Sequence, residues 1–131
     1  MIRACIDTHA LVWYVLKPGR LGRRARRVLA GADAGRTQVL VPAIVAVEVS
    51  VLRDTGRKTI GVSQLEALLK VQPAFALLAV DLAQAIEFSH LAAIRDPFDR
   101  LIVAAARVND VPLVTADTAI HESALVDAIW D

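Results

Sequence analysis

The chain has 131 residues, of which 56% are hydrophobic and 22% are charged, and its formal net charge is +1. This length suits one domain and leaves no room for a second, and so hydrophobic a composition excludes disorder as a description of the whole chain. A net charge this close to zero argues neither for nor against a polyanionic partner, so the distribution of the charges has to decide. We predict a single domain over residues 1–131.

The N-terminal segment and the single cysteine indicate where the protein works. The residues before Asp7 lack the long apolar region of a signal peptide, and no apolar stretch approaches the ~18 residues that span a bilayer. Cys5 cannot form an intramolecular disulfide and lies in a strand-like run, which suits a buried thiol in a reducing compartment. We therefore expect a soluble, cytoplasmic protein that does not enter a membrane.

Short β-branched runs alternate along the chain with longer segments of helical spacing, a pattern typical of βα units that build a parallel sheet. The first half predicts a strand at Ile2–Ile6, a helix from His9 to Leu16, a helix from Leu21 to Ala32, a strand at Gln38–Val41 and a helix from Ala43 to Asp54. The segment Lys17-Pro18-Gly19 ends the first helix, and Pro42 ends the second strand. Gly56 closes the third helix.

The second half continues the same alternation. It predicts a helix that is capped by Ser63, with Glu66 as the capping-box partner, and ends near Val71. Two further helices are predicted, one from Leu82 to Ala93 capped by Asp81 and one from Pro97 that ends at Asn109 and Asp110. The predicted strands are Phe75–Val80, Pro112–Thr115 and one within Ala124–Trp130. Asp96 fits the N-cap of the helix at Pro97. The fold class that follows is a three-layer α/β/α sandwich with a central, mainly parallel sheet of four to five strands.

Four acidic residues fall at positions that such a sheet brings together. In an open parallel sheet the ligand crevice lies outside the carboxyl ends of the strands. The four are Asp7 at the end of the first strand, Glu48 in the helix after the second strand, Asp99 in the first turn of its helix, and Asp117 just past the fourth strand. Such carboxylates repel one another unless protons or cations intervene. Mg²⁺ or Mn²⁺ binds carboxylate oxygens, whereas zinc usually recruits His or Cys, so we predict a magnesium or manganese site.

Each of these acids also has an ordinary structural use. Asp7 could serve only as a helix N-cap, and Asp99 only as a favourable charge in the first turn of a helix. Asp117 could simply belong to a turn, and Asp96 fits a cap better than a metal ligand. Glu48 is the most informative residue because its neighbours are apolar, and an acid among apolar residues usually has a partner.

The motifs "DTHALVW", "PAIVAVEVSVL", "RDPFDRLIVAAA" and "PLVTADTAI" together resemble the PIN domain family, and within it the VapC toxins of bacterial toxin-antitoxin pairs. The resemblance covers essentially the whole chain. It implies a metal-dependent endoribonuclease that hydrolyses RNA, such as tRNA or rRNA, with Asp7, Glu48, Asp99 and Asp117 as catalytic residues and ligands of Mg²⁺ or Mn²⁺. It also implies a homodimer and a VapB-like antitoxin as partners.

The resemblance assigns smaller roles and leaves two departures. Thr8 and Thr115 match supporting hydrogen-bond groups, and Asp96 is left as the helix cap. Many relatives have a serine at the position of Val45 and a histidine at the position of Ile94, and both departures leave the four acids in place.

Basic and aromatic residues surround the predicted site. Arg95 and Arg100 flank the helix of Asp99, and we predict that they contact RNA. Five arginines lie close together, at Arg20, Arg23, Arg24, Arg26 and Arg27, where they could hold phosphates or form a solvated helix face. Trp13 and Tyr14 on the first helix are expected to pack in the core or in a dimer contact.

Two other classes of protein compete with a nuclease. A phosphorylation-controlled receiver module would have its acceptor aspartate after the third strand, as Asp81 is placed here. It would also need two acids after the first strand and a lysine after a late strand, but Asp7 stands alone and no lysine follows Lys70. A catalytically silent binding module with the nuclease fold is the second alternative, and only an assay can exclude it.

Overall fold

The computed structural model describes residues 1–131. Its strands are β1 (Ile2–Ile6), β2 (Thr37–Pro42), β3 (Phe75–Leu78), β4 (Leu113–Val114) and β5 (Ala128–Ile129). Its helices are α1 (Thr8–Leu16), α2 (Arg23–Asp33), α3 (Ala43–Asp54), α4 (Val62–Val71), α5 (Leu82–Ser89), α6 (Pro97–Val108) and α7 (Thr118–Ser123), with a 3₁₀ turn at Pro18–Arg20. None of these helices is long and apolar enough to cross a membrane.

All five strands are parallel and lie in the order β3-β2-β1-β4-β5, which confirms the predicted three-layer sandwich. β1 is the central strand: Cys5 pairs with Leu40 on one side and with Leu113 on the other. Both faces of a parallel sheet are covered by helices, and accordingly Cys5 and Ile6 are completely buried. Burial raises the pKa of the Cys5 thiol to about 12, so this side chain acts as a small apolar residue.

The sheet order also settles the competing receiver interpretation. Receiver modules use the order 2-1-3-4-5, in which the third strand is central. Here β3 is an edge strand, so Asp81 follows the margin of the sheet instead of its centre. Asp81 caps α5, since its side chain accepts a hydrogen bond of 2.9 Å from the Gln84 amide.

Two helices differ from the sequence prediction for identifiable reasons. The cap predicted at Ser63 is wrong, because α4 begins after Gly61, whose N–H donates to the side chain of Gln64 at 2.8 Å. α5 ends at Ser89 and not at Ala93, because the amides of His90 and Leu91 bond carbonyls three residues earlier, and Arg100 from the following helix donates to the Phe88 carbonyl as well. Such bonds tighten the last turn of a helix and satisfy its terminal carbonyls.

The remaining differences are at element boundaries and in one short helix. α2 begins at Arg23 and not at Leu21, since Gly22 is its extended N-cap. β3, β4 and β5 are shorter than predicted. α7 was not predicted at all, because six residues are too few to show a helical period.

The aromatic residues of α1 pack as predicted. The ring of Tyr14 stacks on Phe75 with 5.2 Å between ring centroids, and its hydroxyl donates to Asp33 at 2.6 Å. Trp13 is half-buried against the core. These contacts confirm the core alternative for both side chains.

The end of the chain packs closely on the start of α2. The amide of Ala25 donates to the carbonyl oxygen of Trp130 at 2.9 Å, and a Cβ added at Gly22 would lie 2.3 Å from the same oxygen. Because the obstructing atom is backbone, we expect Gly22→Ala to lower the free energy of unfolding by about 1–3 kcal/mol in urea titrations. Gly19→Ala is the matched control, since nothing lies within 4 Å of its added Cβ. Equal unfolding midpoints for the two variants would contradict this account.

Candidate active site

Asp7 lies at the carboxyl end of the central strand and begins the next helix. Its backbone is extended, and one oxygen of its carboxylate accepts a hydrogen bond of 2.9 Å from the Ala10 amide in the first turn of α1. The side chain is buried, with 6% of its surface exposed. Asp7 is therefore a helix cap, but a cap at the centre of the sheet and closed off from bulk water.

Burial controls the acidity of Asp7. Burial is the largest cause that raises the pKa of the carboxyl from its ordinary 3.8 to about 6, and the neighbouring Glu48 carboxylate contributes to this rise. The Thr115 hydroxyl, the Ala10 amide and the charge of His9 oppose this shift. A carboxylate in this position carries its charge at neutral pH only at an energetic cost, which a cation would relieve.

Glu48 on α3 is half-buried, and its side chain contacts α1. The Thr8 hydroxyl donates to its Oε1 at 2.5 Å, and the two residues are 40 positions apart in sequence. Val45 lies one turn earlier on α3, at the position where many relatives have a serine. In this chain the valine is completely buried in the core. The hydroxyl group that orients Glu48 in this chain therefore comes from Thr8.

Asp99 occupies the first turn of α6, beside the cap residue Asp96. Asp96 accepts hydrogen bonds from the amides of Phe98 (2.8 Å) and Asp99 (3.1 Å), which gives it the capping role that the sequence indicates. Asp99 is half-buried, and the pKa of its carboxyl is raised to about 7, mainly by burial. Repulsion from four neighbouring carboxylates, those of Asp96, Asp117, Glu48 and Asp7, contributes to the same rise.

Asp117 follows β4 and begins α7, so it is a helix cap instead of a simple turn residue. Its carboxylate accepts a hydrogen bond of 3.0 Å from the Ile120 amide, and its own amide donates to the Thr115 hydroxyl at 3.1 Å. Thr115 is completely buried, and the ring nitrogen of His121 lies 2.7 Å from its carbonyl oxygen. Thr115 thus contacts the segments that carry the first and the last of the four acids.

A cavity opens beside these acids between α6 and α7. It has a volume of about 370 Å³ and is lined by Asp96, Asp99 and Asp117, together with Arg95. Ile94 also lines it, so the wall is apolar where many relatives have a histidine. The cavity gives a ligand access to Asp99 and Asp117 from solvent.

The two arginines predicted to contact RNA differ in their surroundings. Arg95 is exposed and lines the acidic cavity. The Arg100 guanidinium donates to the Phe88 carbonyl at 2.8 Å and lies 4.0 Å from the centroid of the Phe88 ring. Arg100 therefore joins α6 to α5, and only Arg95 is free at the site.

Sequence reasoning overlooked His9, an exposed residue two positions after Asp7 whose charge acts on that carboxylate.

No basic side chain neutralises the four acids. The chain contains two ion pairs, Lys70 with Glu66 and Arg107 with Glu87, and neither includes a residue of the acidic edge. No three His, Cys, Asp or Glu side chains are already arranged as a ligand cage. Mg²⁺ does not need such a cage, because it usually binds one or two carboxylates and keeps several waters. The all-oxygen donor set fits that requirement.

The parallel sheet order and the acidic carboxyl edge define an α/β protein with a group of acidic residues at the ends of its central strands. The chain belongs to the PIN domain family, whose family model matches residues 4–124. A comparison with curated protein sequences finds no significant match.

Several solved structures share the fold. The chain is similar to a structure of VapBC2 from Rickettsia felis bound to a DNA fragment from the promoter, with a TM-score of 0.70 and 15% identity, covering 99% of this chain and 100% of that one. It is similar to FitAcB from Neisseria gonorrhoeae, with a TM-score of 0.66, 20% identity and 96% of each chain covered. It is also similar to DNA-bound VapBC from Salmonella typhimurium, with a TM-score of 0.64, 15% identity and 98% of each chain covered.

Proposed function

We propose that this protein is a metal-dependent endoribonuclease, the toxin of a VapC-type toxin-antitoxin pair, which hydrolyses phosphodiester bonds of RNA such as tRNA or rRNA. One observation carries the proposal: four carboxylates lie near one another at the carboxyl edge of the sheet without an ion-pair partner, and burial together with repulsion from neighbouring carboxylates raises the pKa of Asp99 to about 7. PIN domains are typically nucleases, and the similar solved structures are VapBC and FitAB proteins, which supports a nuclease toxin.

The residues have distinct roles in the proposed reaction. Asp7 and Asp99 would hold Mg²⁺ or Mn²⁺, with Glu48 and Asp117 completing the set directly or through water. When bound, the cation supplies an activated water and stabilises negative charge on the phosphate. The Thr8 hydroxyl orients Glu48. Burial of Asp7 keeps bulk water away from the inner part of the site.

Two partners belong to the same proposal. A VapB-like antitoxin would cover the acidic groove, in keeping with the toxin-antitoxin complexes that share the fold. A homodimer is supported by the surface of α3, where Val47 and Val51 remain 52% and 40% exposed. Large apolar side chains exposed together on a helix often mark a protein contact.

RNA cleavage by the purified chain, without antitoxin, tests the proposal. Total bacterial RNA incubated with the protein in Mg²⁺ or Mn²⁺ should give discrete fragments. EDTA should prevent their formation, and so should Asp7→Asn, which keeps the hydrogen bond to the Ala10 amide but removes the charge. A folded protein that cleaves no RNA with either metal would favour the catalytically silent binding module instead.

A further inference from the structure

Four of the five arginines before and within α2, all except Arg23, divide into two groups by their contacts. The Arg20 guanidinium lies 4.4 Å from the centroid of the Trp13 ring. Arg26 donates to the carbonyl oxygens of Leu21 at 3.1 Å and Gly19 at 3.5 Å. These two side chains therefore stabilise the turn that leads into α2, and neither is free to bind a ligand.

Arg24 and Arg27 form the second group, together with Arg36 from the loop after α2. All three line one cavity of about 320 Å³, and no acidic side chain is among its lining residues. Each of the three residues is exposed, and its side chain makes no ion pair or hydrogen bond within the chain. Arg24 and Arg27 are three residues apart on one helix face, where like charges repel unless an anion lies between them. The cavity is thus a cationic pocket without a counter-ion from the protein.

The direction of α2 relates this pocket to the acidic edge. The N-terminal end of α2 meets Trp130, which follows the last residue of β5, at the carboxyl edge of the sheet. The C-terminal part meets the other edge, where a Cβ at Gly31 would lie 2.5 Å from the hydroxyl of Thr37, the first residue of β2. The helix therefore runs from the acidic edge to the opposite edge, about 10 Å along its axis between residues 24 and 31.

Arg24 also borders a second cavity that reaches the acidic edge. That cavity includes Thr118 and His121 of α7, and Thr118 directly follows the last of the four acids. Glu122 and Asp131 also line it, so its charge is mixed near α7 and becomes purely cationic beyond Arg24. An RNA strand that leaves the acidic site across α7 would reach Arg24 before Arg27 and Arg36.

We propose that a single-stranded flank of the RNA substrate lies along α2, with its phosphates bound by Arg24, Arg27 and Arg36. This inference rests on the proposed ribonuclease function and adds a second site of contact outside the acidic edge. Guanidinium groups bind phosphate oxygens through paired hydrogen bonds, and two neighbouring arginines suit the repeating charge of a phosphodiester backbone. Substrates long enough to reach α2 should then bind better than short ones.

RNA binding at several salt concentrations tests the inference without relying on cleavage. All proteins carry Asp99→Asn so that the RNA stays intact. The test variant adds Arg24→Gln, Arg27→Gln and Arg36→Gln, and a matched control adds Arg57→Gln, Lys58→Gln and Lys70→Gln, three exposed residues outside both cavities. Glutamine keeps the helix propensity and much of the side-chain stem, and circular dichroism verifies the fold.

The loss of three phosphate contacts should lower the slope of log K against log salt by about 2, at ~0.7 per phosphate of a single strand. When the salt concentration rises from 50 to 200 mM, both proteins lose affinity for RNA. The fold-loss should be about 20 times smaller for the test variant than for the control. An oligonucleotide too short to extend past the acidic site should bind both variants equally.

The outcomes distinguish a failure of the inference from a failure of the proposed function. Equal slopes for the test and control variants, while the unaltered chain cleaves RNA, would overturn the inference and leave the function standing. Binding through the three arginines by a chain that cleaves no RNA would support the inference and contradict the function. A parent protein that binds no RNA would overturn both.

Discussion

Replacing Asp99 with Asn should reduce RNA cleavage by at least about 10²- to 10³-fold, the range found when one group that stabilises transition-state charge is removed. The same change should stabilise the metal-free protein at pH 8, because it removes a charge that burial and four neighbouring carboxylates disfavour. Asp99 is half-exposed, so after allowance for solvent screening we expect a gain of about 1 kcal/mol in the free energy of unfolding. Cleavage kinetics and urea titrations in EDTA measure the two effects.

Asp96→Asn is the matched control for Asp99. It removes the same charge three residues away, and asparagine retains the N-cap of α6. Asp96 is exposed, and we expect its replacement to leave the cleavage rate within a fewfold of the original. A loss of activity as large as that of Asp99→Asn would mean that Asp96 is a ligand and not only a cap. Full activity in Asp99→Asn would remove Asp99 from the mechanism.

The stability of the metal-free protein should fall as the pH rises from about 4 to about 7, and Asp7 should contribute the largest part. Burial raises the pKa of the folded Asp7 carboxyl to about 6, above the value of about 3.9 in an unfolded chain. The folded state thus binds the proton more tightly than the unfolded state. The resulting contribution to the free energy of unfolding is fully present below pH ~4 and is lost as the pH rises through 6. Two pKa units correspond to about 3 kcal/mol.

Asp7→Asn isolates this contribution from the other groups that titrate. The neutral amide resembles the protonated carboxyl, so the variant and the original protein should have similar stability near pH 4. At pH 8 in EDTA the variant should be more stable by about 3 kcal/mol. Urea titrations across this pH range measure the difference in the free energy of unfolding. A difference that does not change with pH would contradict the raised pKa of Asp7 in the folded protein.

Elements with strong local signals were predicted almost residue for residue. Pro42 and Gly56 bound α3, which has the predicted limits Ala43–Asp54. Asp96 and Pro97 fix the start of α6 through a cap and a first-turn proline, and both act within three residues of the helix. Local chemistry of this kind is visible in a single sequence because it needs no information about distant residues.

Features that depend on distant contacts could not be predicted. Arg100 lies 12 positions after the α5 carbonyl that it contacts, and this contact removes it from the predicted RNA-binding pair. Each of the four acids could be placed from local signals, three at a strand end or in a first helical turn and Glu48 within its helix. The hydrogen bond between Thr8 and Glu48 spans 40 positions and has no signal in the sequence.

The central position of β1 also has a consequence for biosynthesis. β1 pairs on both sides, with β2 soon after it in the chain and with β4 more than 100 residues later. Asp117 follows β4, so it is added to the chain after both of these strands. A nascent chain therefore carries Asp7 long before it can assemble the complete acidic edge. Chains released from stalled ribosomes before β4 and Asp117 are made should lack this edge, on which the proposed nuclease activity depends.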